Sequence, residues 1–267
     1  MNKLKTQNIF CYLIKMDELF IYNFLMLCFG LTSVLVFIAL FFIPAGYGQH
    51  VDKKWGPTIN NKLGWFLMEV PTVIIYIIYY LIGDRKTDLI PLIFMSIWMV
   101  HYCQRTFIFP FLIRGKQPMP ITIILTGVTF NGINTYLQAR WIYTFSTPYT
   151  TDWILTPMFI IGVIIFICGF IINMHSDYIL RKLRKPGETE YKIPYGGMFR
   201  YVSCPSYFGE ITEWTGWAIM TWSFPGLVFA VWTFANLAPR ARSNHLWYTN
   251  TFAEYPKNRK ALIPFIF

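Results

Sequence analysis

Apolar runs separated by short polar and basic breaks recur along this chain, and about 20 apolar residues suffice for a helix to cross a bilayer. The pattern predicts spans at 19–43, 63–83, 89–113, 120–145 and 153–173. A longer apolar stretch, 205–238, cannot be one span. At about 1.5 Å per residue it would reach near 50 Å, against a hydrocarbon core of about 30 Å. Pro225, after Trp222-Ser223-Phe224, is the expected break. It gives spans at 206–223 and 226–250, the second bent at Pro239. The expectation is therefore an all-α, polytopic integral membrane protein with seven transmembrane helices, a single membrane-embedded domain over 1–267. The first span is longer than a signal-peptide core and lacks a clear cleavage site, so it is expected to be retained.

Composition agrees with this pattern. Hydrophobic residues make up 55% and charged residues 13%, whereas soluble domains carry about 25% charged residues. Water-soluble folds and intrinsic disorder are both excluded. The net charge of +10 raises the question of nucleic acid, but the distribution of basic residues answers it. With seven spans, Lys3, Lys5, Lys15, Arg85 and Lys86 fall on the amino-terminal side, and 16 Lys and Arg fall on the other. That bias puts the carboxyl terminus in the cytoplasm and residues 1–18 across the membrane. The membrane is the endoplasmic reticulum in a eukaryote or the inner membrane in a bacterium. Membrane lipid is then the expected partner, with no nucleic acid and no obligate protein partner evident. The five cysteines, at 11, 28, 103, 168 and 204, show no CxxC and read as small buried hydrophobes. The four histidines are scattered without HxxxH or HExxH, so no metal is expected.

Ionisable groups inside spans cost about 2.5–3.5 kcal/mol each on insertion scales and are functional candidates by default. They are Glu69, Arg105, Arg140, Glu210 and Glu213. Arg140, near a helix end, reads as a packing ion pair, and His101 and Cys103 as packing residues. Glu69 lies about six residues, near 9 Å, inside its helix from the cytoplasmic face, and Tyr102 near the middle of the third span. Asn173 and Asp177 are i,i+4 and Glu210 and Glu213 are i,i+3, so each pair shares a helix face. Arg240, Asn244 and Tyr248 form another such stripe if the last helix continues past Pro239. A polar, partly basic mouth above a buried Glu and Tyr fits an enzyme that loads a charged cofactor from the cytosol, and equally a transporter vestibule. In the segment 174–205, expected to be a cytoplasmic loop, Arg181, Lys182, Arg184 and Lys185 suit phosphates or anionic lipid. Pro186-Gly187 and Gly196-Gly197 supply turns. No GxGxxG follows a strand and no GxxxxGK[ST] occurs, so a nucleotide would be held by helix side chains and loops.

Specific motifs lie in and around this loop. NMHSDYILRKLRKPGETEYKIPYGGMFRYVS, FGEITEWTGWA and the terminal YPKNRKALIPFIF resemble the steroid 5α-reductase family, the 3-oxo-5α-steroid 4-dehydrogenases. WFLMEVP from Trp65 and HYCQRTFIFPFLIRG from His101 follow the same order, and the resemblance covers roughly residues 60–267. It implies seven transmembrane helices, NADPH as cofactor, and reduction of a carbon–carbon double bond conjugated to a ketone. The substrate implied is a 3-oxo-Δ4 steroid or another lipid-like enone. By resemblance, Glu69 and Tyr102 address the ketone oxygen, and Trp65 and Met68 contact the substrate. The cofactor residues are Arg114, Asn173, Asp177, Arg184, Tyr191, Ser206, Glu210, Arg240, Asn244 and Tyr248. Departures from the human-type members are Met68 for Gln, Ile113 for Asn, Thr126 for Arg, Ser206 for Asn, and Asn244 for His with His245 following. The Met68 difference bears on substrate preference. Competing readings are a reductase of another enone or enoyl thioester, a membrane methyltransferase using S-adenosylmethionine, and a transporter.

Overall fold

The computed structural model describes residues 2–46, 48–51, 53–114, 117–185, 188 and 190–267, with side chains from Met16 onward except Lys53. The chain is mostly helical. The helices are α1 (Asn2–Phe42), α2 (Asn61–Ile82), α3 (Leu89–Cys103), α4 (Phe109–Leu112), α5 (Ile121–Arg140), α6 (Pro157–Lys182), α7 (Pro205–Thr221) and α8 (Phe224–Thr251). A π-helical turn, Gln104–Ile108, joins α3 to α4, and a second, Trp141–Phe145, extends α5. The seven expected apolar runs thus all lie on helix. Among the described residues, three helices are long and apolar enough to cross a membrane: Met16–Phe42, α2 and α6. In α5, α7 and α8 polar side chains such as Asn131, Asn134, Gln138, Glu213 and Thr233 are buried, which lowers hydropathy without presenting them outward. Large apolar side chains such as Phe20, Leu35, Ile82, Ile164 and Phe224 are exposed instead.

Local chemistry sets the helix ends. The Asn60 side chain caps α2 by accepting from the backbone N–H of Lys62 and Leu63. Thr156 and Ser223 cap α6 and α8 in the same way. The break between the last two spans is not at Pro225. It falls at Trp222, whose φ is 44°, and Pro225 sits in the first turn of α8, where its missing N–H removes no helix bond. Helix α8 runs unbroken past Pro239. Helix α6 also continues to Lys182, so 174–182 is helix and not loop. Ile179, Leu180, Arg181 and Lys182 are compatible with helix, and nothing in the sequence stops it before Pro186. The expected Pro186-Gly187 turn lies outside the described residues, whereas Gly196 and Gly197 do turn with positive φ. A short antiparallel pair, β1 (Thr58–Ile59) with β2 (Met119–Pro120), ties the entrances of α2 and α5.

Glycines bring α6 and α7 to backbone contact. Gly162 and Gly169 on α6 face Gly216 and Gly209 on α7, each pair seven residues apart. A Cβ at Gly209 would lie 2.6 Å from the Asn173 nitrogen and 2.7 Å from the Gly169 carbonyl oxygen. Small residues at such crossings are the usual device where lipid gives no hydrophobic drive between helices. An aromatic core built on Trp98, Trp214, Trp217, Tyr76 and Phe94 fills the bundle. Helix α1 closes it through stacked Phe29 and Trp232 and through the Tyr22 hydroxyl, which donates to the Leu137 carbonyl at 2.8 Å. Arg140 donates to Glu18 of α1 from Nε at 2.6 Å, the packing ion pair expected for it. The cysteine expectation is corrected. Of the four described, Cys204 is buried, Cys28 and Cys103 are partly buried, and Cys168 is exposed, so apolar surroundings along the sequence do not mean burial. The Cys11 side chain lies outside the described residues.

Candidate active site

A cavity of about 710 Å3 opens between α1–α3, α5 and α6–α8. Ligand sites of this kind span about 300–1,000 Å3. Trp65, Met68, Glu69, Tyr102, Asn173, Asp177, Arg184, Tyr191, Ser206, Glu210, Arg240, Asn244 and Tyr248 all line it. The structure therefore brings together every residue assigned to substrate or cofactor by the resemblance except Arg114, whereas the candidates Arg140, Glu213, Arg181, Lys182 and Lys185 do not line the cavity. Arg114 is exposed and donates from Nη1 to the Arg184 carbonyl at 2.8 Å. It supports the chain beside the cavity and does not form its wall.

One end of the cavity is aromatic and apolar around two polar groups. Glu69, on α2, is 7% exposed. Its Oε2 accepts from Asn131 Nδ2 of α5 at 3.1 Å, and the same nitrogen donates to the Met68 carbonyl at 2.7 Å. Tyr102, on α3, is held among Trp98 at 4.7 Å, His101 at 4.9 Å and Trp214 at 5.7 Å between ring centroids. Its hydroxyl has no hydrogen-bond partner among the described residues. The Met68 side chain packs against Gly127 of α5, where a Cβ would collide with it.

Arg105 divides this end from the mouth. The π-helical turn that carries it follows Tyr102 by two residues, and such turns recur at functional sites. Its guanidinium lies 3.5 Å from Asp177 Oδ2 and 3.9 Å from Glu210 Oε2, and it covers the rings of Phe109 at 4.3 Å and Trp65 at 4.9 Å. Arg105 thus joins α2, α4, α6 and α7 through one side chain.

The mouth is polar and partly basic. Asn173 Nδ2 donates to the Ser206 carbonyl at 3.0 Å, locking α6 to the first turn of α7. Arg240 donates to the Tyr207 hydroxyl at 3.2 Å and Asn236 Oδ1 at 3.4 Å. Asn244 is met by Gln49 and, at 3.2 Å, by His50. His245 does not substitute for it, because its Nδ1 pairs with the Ser203 hydroxyl at 2.6 Å. Arg184 covers the Tyr191 ring at 4.3 Å. In the segments between helices, burial pushes the Tyr191 phenol up, the Cys204 thiol up to about 12, and the His50 imidazole down.

Sequence reasoning missed Asn131 and understated His101. Asn131, Asn134, Thr135 and Gln138 recur at i, i+3, i+4 and i+7 within an apolar run, a buried polar stripe that periodicity alone reveals. His101 is not merely packed: it lines the cavity, and its Nδ1 lies 2.7 Å from Glu213 Oε1.

Comparison with known proteins identifies the family. The sequence profile of the family described as 3-oxo-5-alpha-steroid 4-dehydrogenase matches residues 117–267. The chain is 40% identical to mouse (Mus musculus) 3-oxo-5-alpha-steroid 4-dehydrogenase 1 over 254 residues, 94% of this chain and 99% of the mouse protein. It is 42% identical to steroid 5-alpha-reductase DET2 of Arabidopsis thaliana, over 86% of this chain and 90% of the plant protein. It is 41% identical to human (Homo sapiens) 3-oxo-5-alpha-steroid 4-dehydrogenase 1, over 83% of this chain and 86% of the human protein. The chain belongs to the steroid 5α-reductase family and is an oxidoreductase acting on CH–CH groups.

Proposed function

We propose that this protein reduces the Δ4 double bond of 3-oxo-Δ4 steroids, with NADPH as cofactor, to give 3-oxo-5α-steroids. The observation that carries this reading is one continuous cavity with two unlike ends. The apolar end holds Glu69 and the Tyr102 hydroxyl, which has no partner among the described residues, and the other end holds Arg184, Arg240, the buried Asn173 and Asp177 and the partly buried Glu210 and Asn244. Phosphate and ribose groups need charged and neutral donors and acceptors together, and the mouth offers both. Asp177 Oδ2, 3.5 Å from the Arg105 guanidinium, makes no hydrogen bond among the described residues and retains the capacity to accept one from a ribose hydroxyl or an amide. On this reading Asn173, Asp177, Arg184, Tyr191, Ser206, Glu210, Arg240, Asn244 and Tyr248 hold the dinucleotide.

When bound, NADPH supplies the hydride that reduces C5. Negative charge then develops on the ketone oxygen, and a donor aimed at that oxygen lowers the barrier most in a water-poor site. Tyr102 is that donor, and Glu69 in its protonated form is a second. Trp65 and Met68 flank the steroid, and Asn131 fixes the Glu69 carboxyl group. Arg105 balances Asp177 and Glu210 and keeps the mouth's charge from spreading into the apolar end.

The same reading takes the chain as one domain of seven spans in a lipid membrane, with the cofactor side and the carboxyl terminus in the cytoplasm. The outward apolar side chains of α1, α2 and α6 and the bias of basic residues support it. A second substrate class, another lipid enone or enoyl thioester, is favoured by the apolar Met68 side chain on the cavity wall. NADPH oxidation by the detergent-purified protein tests both, across Δ4-3-keto steroids, other cyclic enones and enoyl thioesters. Turnover with the steroids is expected. Turnover confined to thioesters would overturn the steroid reading, and no oxidation with any acceptor would overturn the reductase itself.

A further inference from the structure

We propose that His101 is the acid that delivers the proton to the α-carbon, C4, in the enone reduction proposed above, with Glu213 as its positioning partner. The proposal rests on that reading of the substrate. His101 precedes Tyr102 on α3 and lines the same cavity. Its Nδ1 lies 2.7 Å from Glu213 Oε1, and its ring is wedged against Trp214 at 4.6 Å and Tyr102 at 4.9 Å. A carboxylate at Nδ1 fixes a proton there. The remaining nitrogen, Nε2, has no hydrogen-bond partner among the described residues.

Glu213 makes a purely structural role a poor account. It is fully buried, and its Oε2 has no hydrogen-bond partner among the described residues. An unsatisfied buried group is destabilising, and buried ion pairs add little stability over apolar replacements. The junction of α3 and α7 is already made by Trp98 against Trp214 at 5.4 Å and Trp217 at 5.2 Å. An ionisable pair facing the reaction cavity has a use that packing does not supply.

The proton balance closes. Reduction at C5 leaves the electron pair of the former C4–C5 double bond delocalised over C4, C3 and the ketone oxygen, an enolate held at oxygen by Tyr102 and Glu69. That pair takes the Nε2 proton of the imidazolium. The C4–H bond forms, the Nε2–H bond breaks with its electrons left on nitrogen, and the C3 carbonyl is restored. The ring becomes neutral while Nδ1–H still donates to the Glu213 carboxylate, and solvent at the cavity mouth returns the proton. Tyr102 and His101, neighbours on one helix, thus serve the two ends of the enolate, Tyr102 the ketone oxygen and His101 the C4 carbon two bonds away.

Two measurements in D2O test this. The first locates deuterium at C4 of the product formed by NADPH-dependent reduction. The second follows exchange of the C4 hydrogen of the saturated 3-ketone with no reduced nicotinamide present, which is the protonation run backward. Wild-type protein is expected to deliver deuterium to one face of C4 and to catalyse the exchange. His101→Asn should slow exchange about a hundredfold or more, the range of general acid–base catalysis, and lose facial selectivity. Glu213→Gln keeps a hydrogen bond and removes the counter-charge, so kcat and exchange should fall with KM unchanged. Reduction by wild type with His101→Asn exchanging and placing deuterium as wild type does would make the pair a structural tie. Reduction without C4 exchange by wild type overturns the proposal as well. If His101→Asn does not fold, Glu213→Gln and the wild-type product decide, and deuterium on both faces of C4 is the refuting result. Failure of wild type to reduce any Δ4-3-keto steroid overturns the substrate reading, and this proposal with it.

Discussion

Gly209→Ala probes whether the contact of α6 with α7 sets the geometry of the mouth. The new methyl would lie 2.6 Å from the Asn173 nitrogen and 2.7 Å from the Gly169 carbonyl oxygen, both backbone atoms that no rotamer change can move. Ordinary contact begins at 3.4 Å, so the two helices must part locally by about 0.8 Å. The 3.0 Å bond from Asn173 to the Ser206 carbonyl spans this crossing, and that separation takes it beyond hydrogen-bond range. Overpacking costs about 1–3 kcal/mol and the lost bond about 1 kcal/mol, against a gain of about 1 kcal/mol from helix propensity. A net loss of about 1–3 kcal/mol lowers the melting temperature by about 2–4 °C per kcal/mol in a chain of this size. Gly132→Ala on α5 is the control, because its methyl would meet only the Ile75 Cδ1 at 3.8 Å. It should gain from propensity without strain. Thermal unfolding of both variants in one detergent, with NADPH titration of each, gives the comparison. Gly209→Ala should melt lower and bind NADPH about fivefold more weakly, the equivalent of about 1 kcal/mol. Equal melting temperatures and equal affinities in the two variants would refute the close-crossing argument.

Tyr102→Phe should lose about a hundred- to a thousandfold in single-turnover enone reduction, the range for removing one oxyanion donor. Cofactor occupancy is checked separately, and a near wild-type rate removes Tyr102 from the reaction. Glu69→Gln should be less damaging than Glu69→Ala in the same assay, because the amide still donates. Asp177→Ala and Arg240→Ala should weaken NADPH binding in titration while both proteins remain folded, and normal binding by both moves the cofactor elsewhere. Cysteines introduced as Lys5→Cys and Lys257→Cys should label from opposite sides of sealed vesicles, and labelling from one side means an even number of spans.

Much of the architecture was legible along the chain. Each apolar run is a helix, because an apolar segment in lipid must satisfy its backbone hydrogen bonds internally. The residues drawn from the ordered motifs, Glu69 and Tyr102 at one end and Asn173 to Tyr248 at the other, line one cavity, with only Arg114 set aside. Helix ends were less legible. Pro225 was expected to break a helix that it instead begins, and the end of the apolar run near 173 did not end α6. Apolarity reports where lipid stops, whereas a helix stops where capping and proline stop it.

What the sequence could not decide is how each helix is turned about its own axis. A nearly all-apolar segment carries little record of which face meets which neighbour, so the pairings wait on packing. Asn131 reaching Glu69, Arg105 reaching Asp177 and Glu210, and His101 reaching Glu213 each join residues 62 to 112 positions or so apart along the chain. The glycine contacts of α6 and α7 fix one such rotation, because two backbones approach this closely only where neither helix carries a side chain. Composition and hydropathy therefore determined that the chain is a helical membrane protein, and local motifs determined its family. Side-chain packing between helices distant in sequence decided which polar groups are brought to face one another, because that depends on shape complementarity in three dimensions and not on any local preference of the chain.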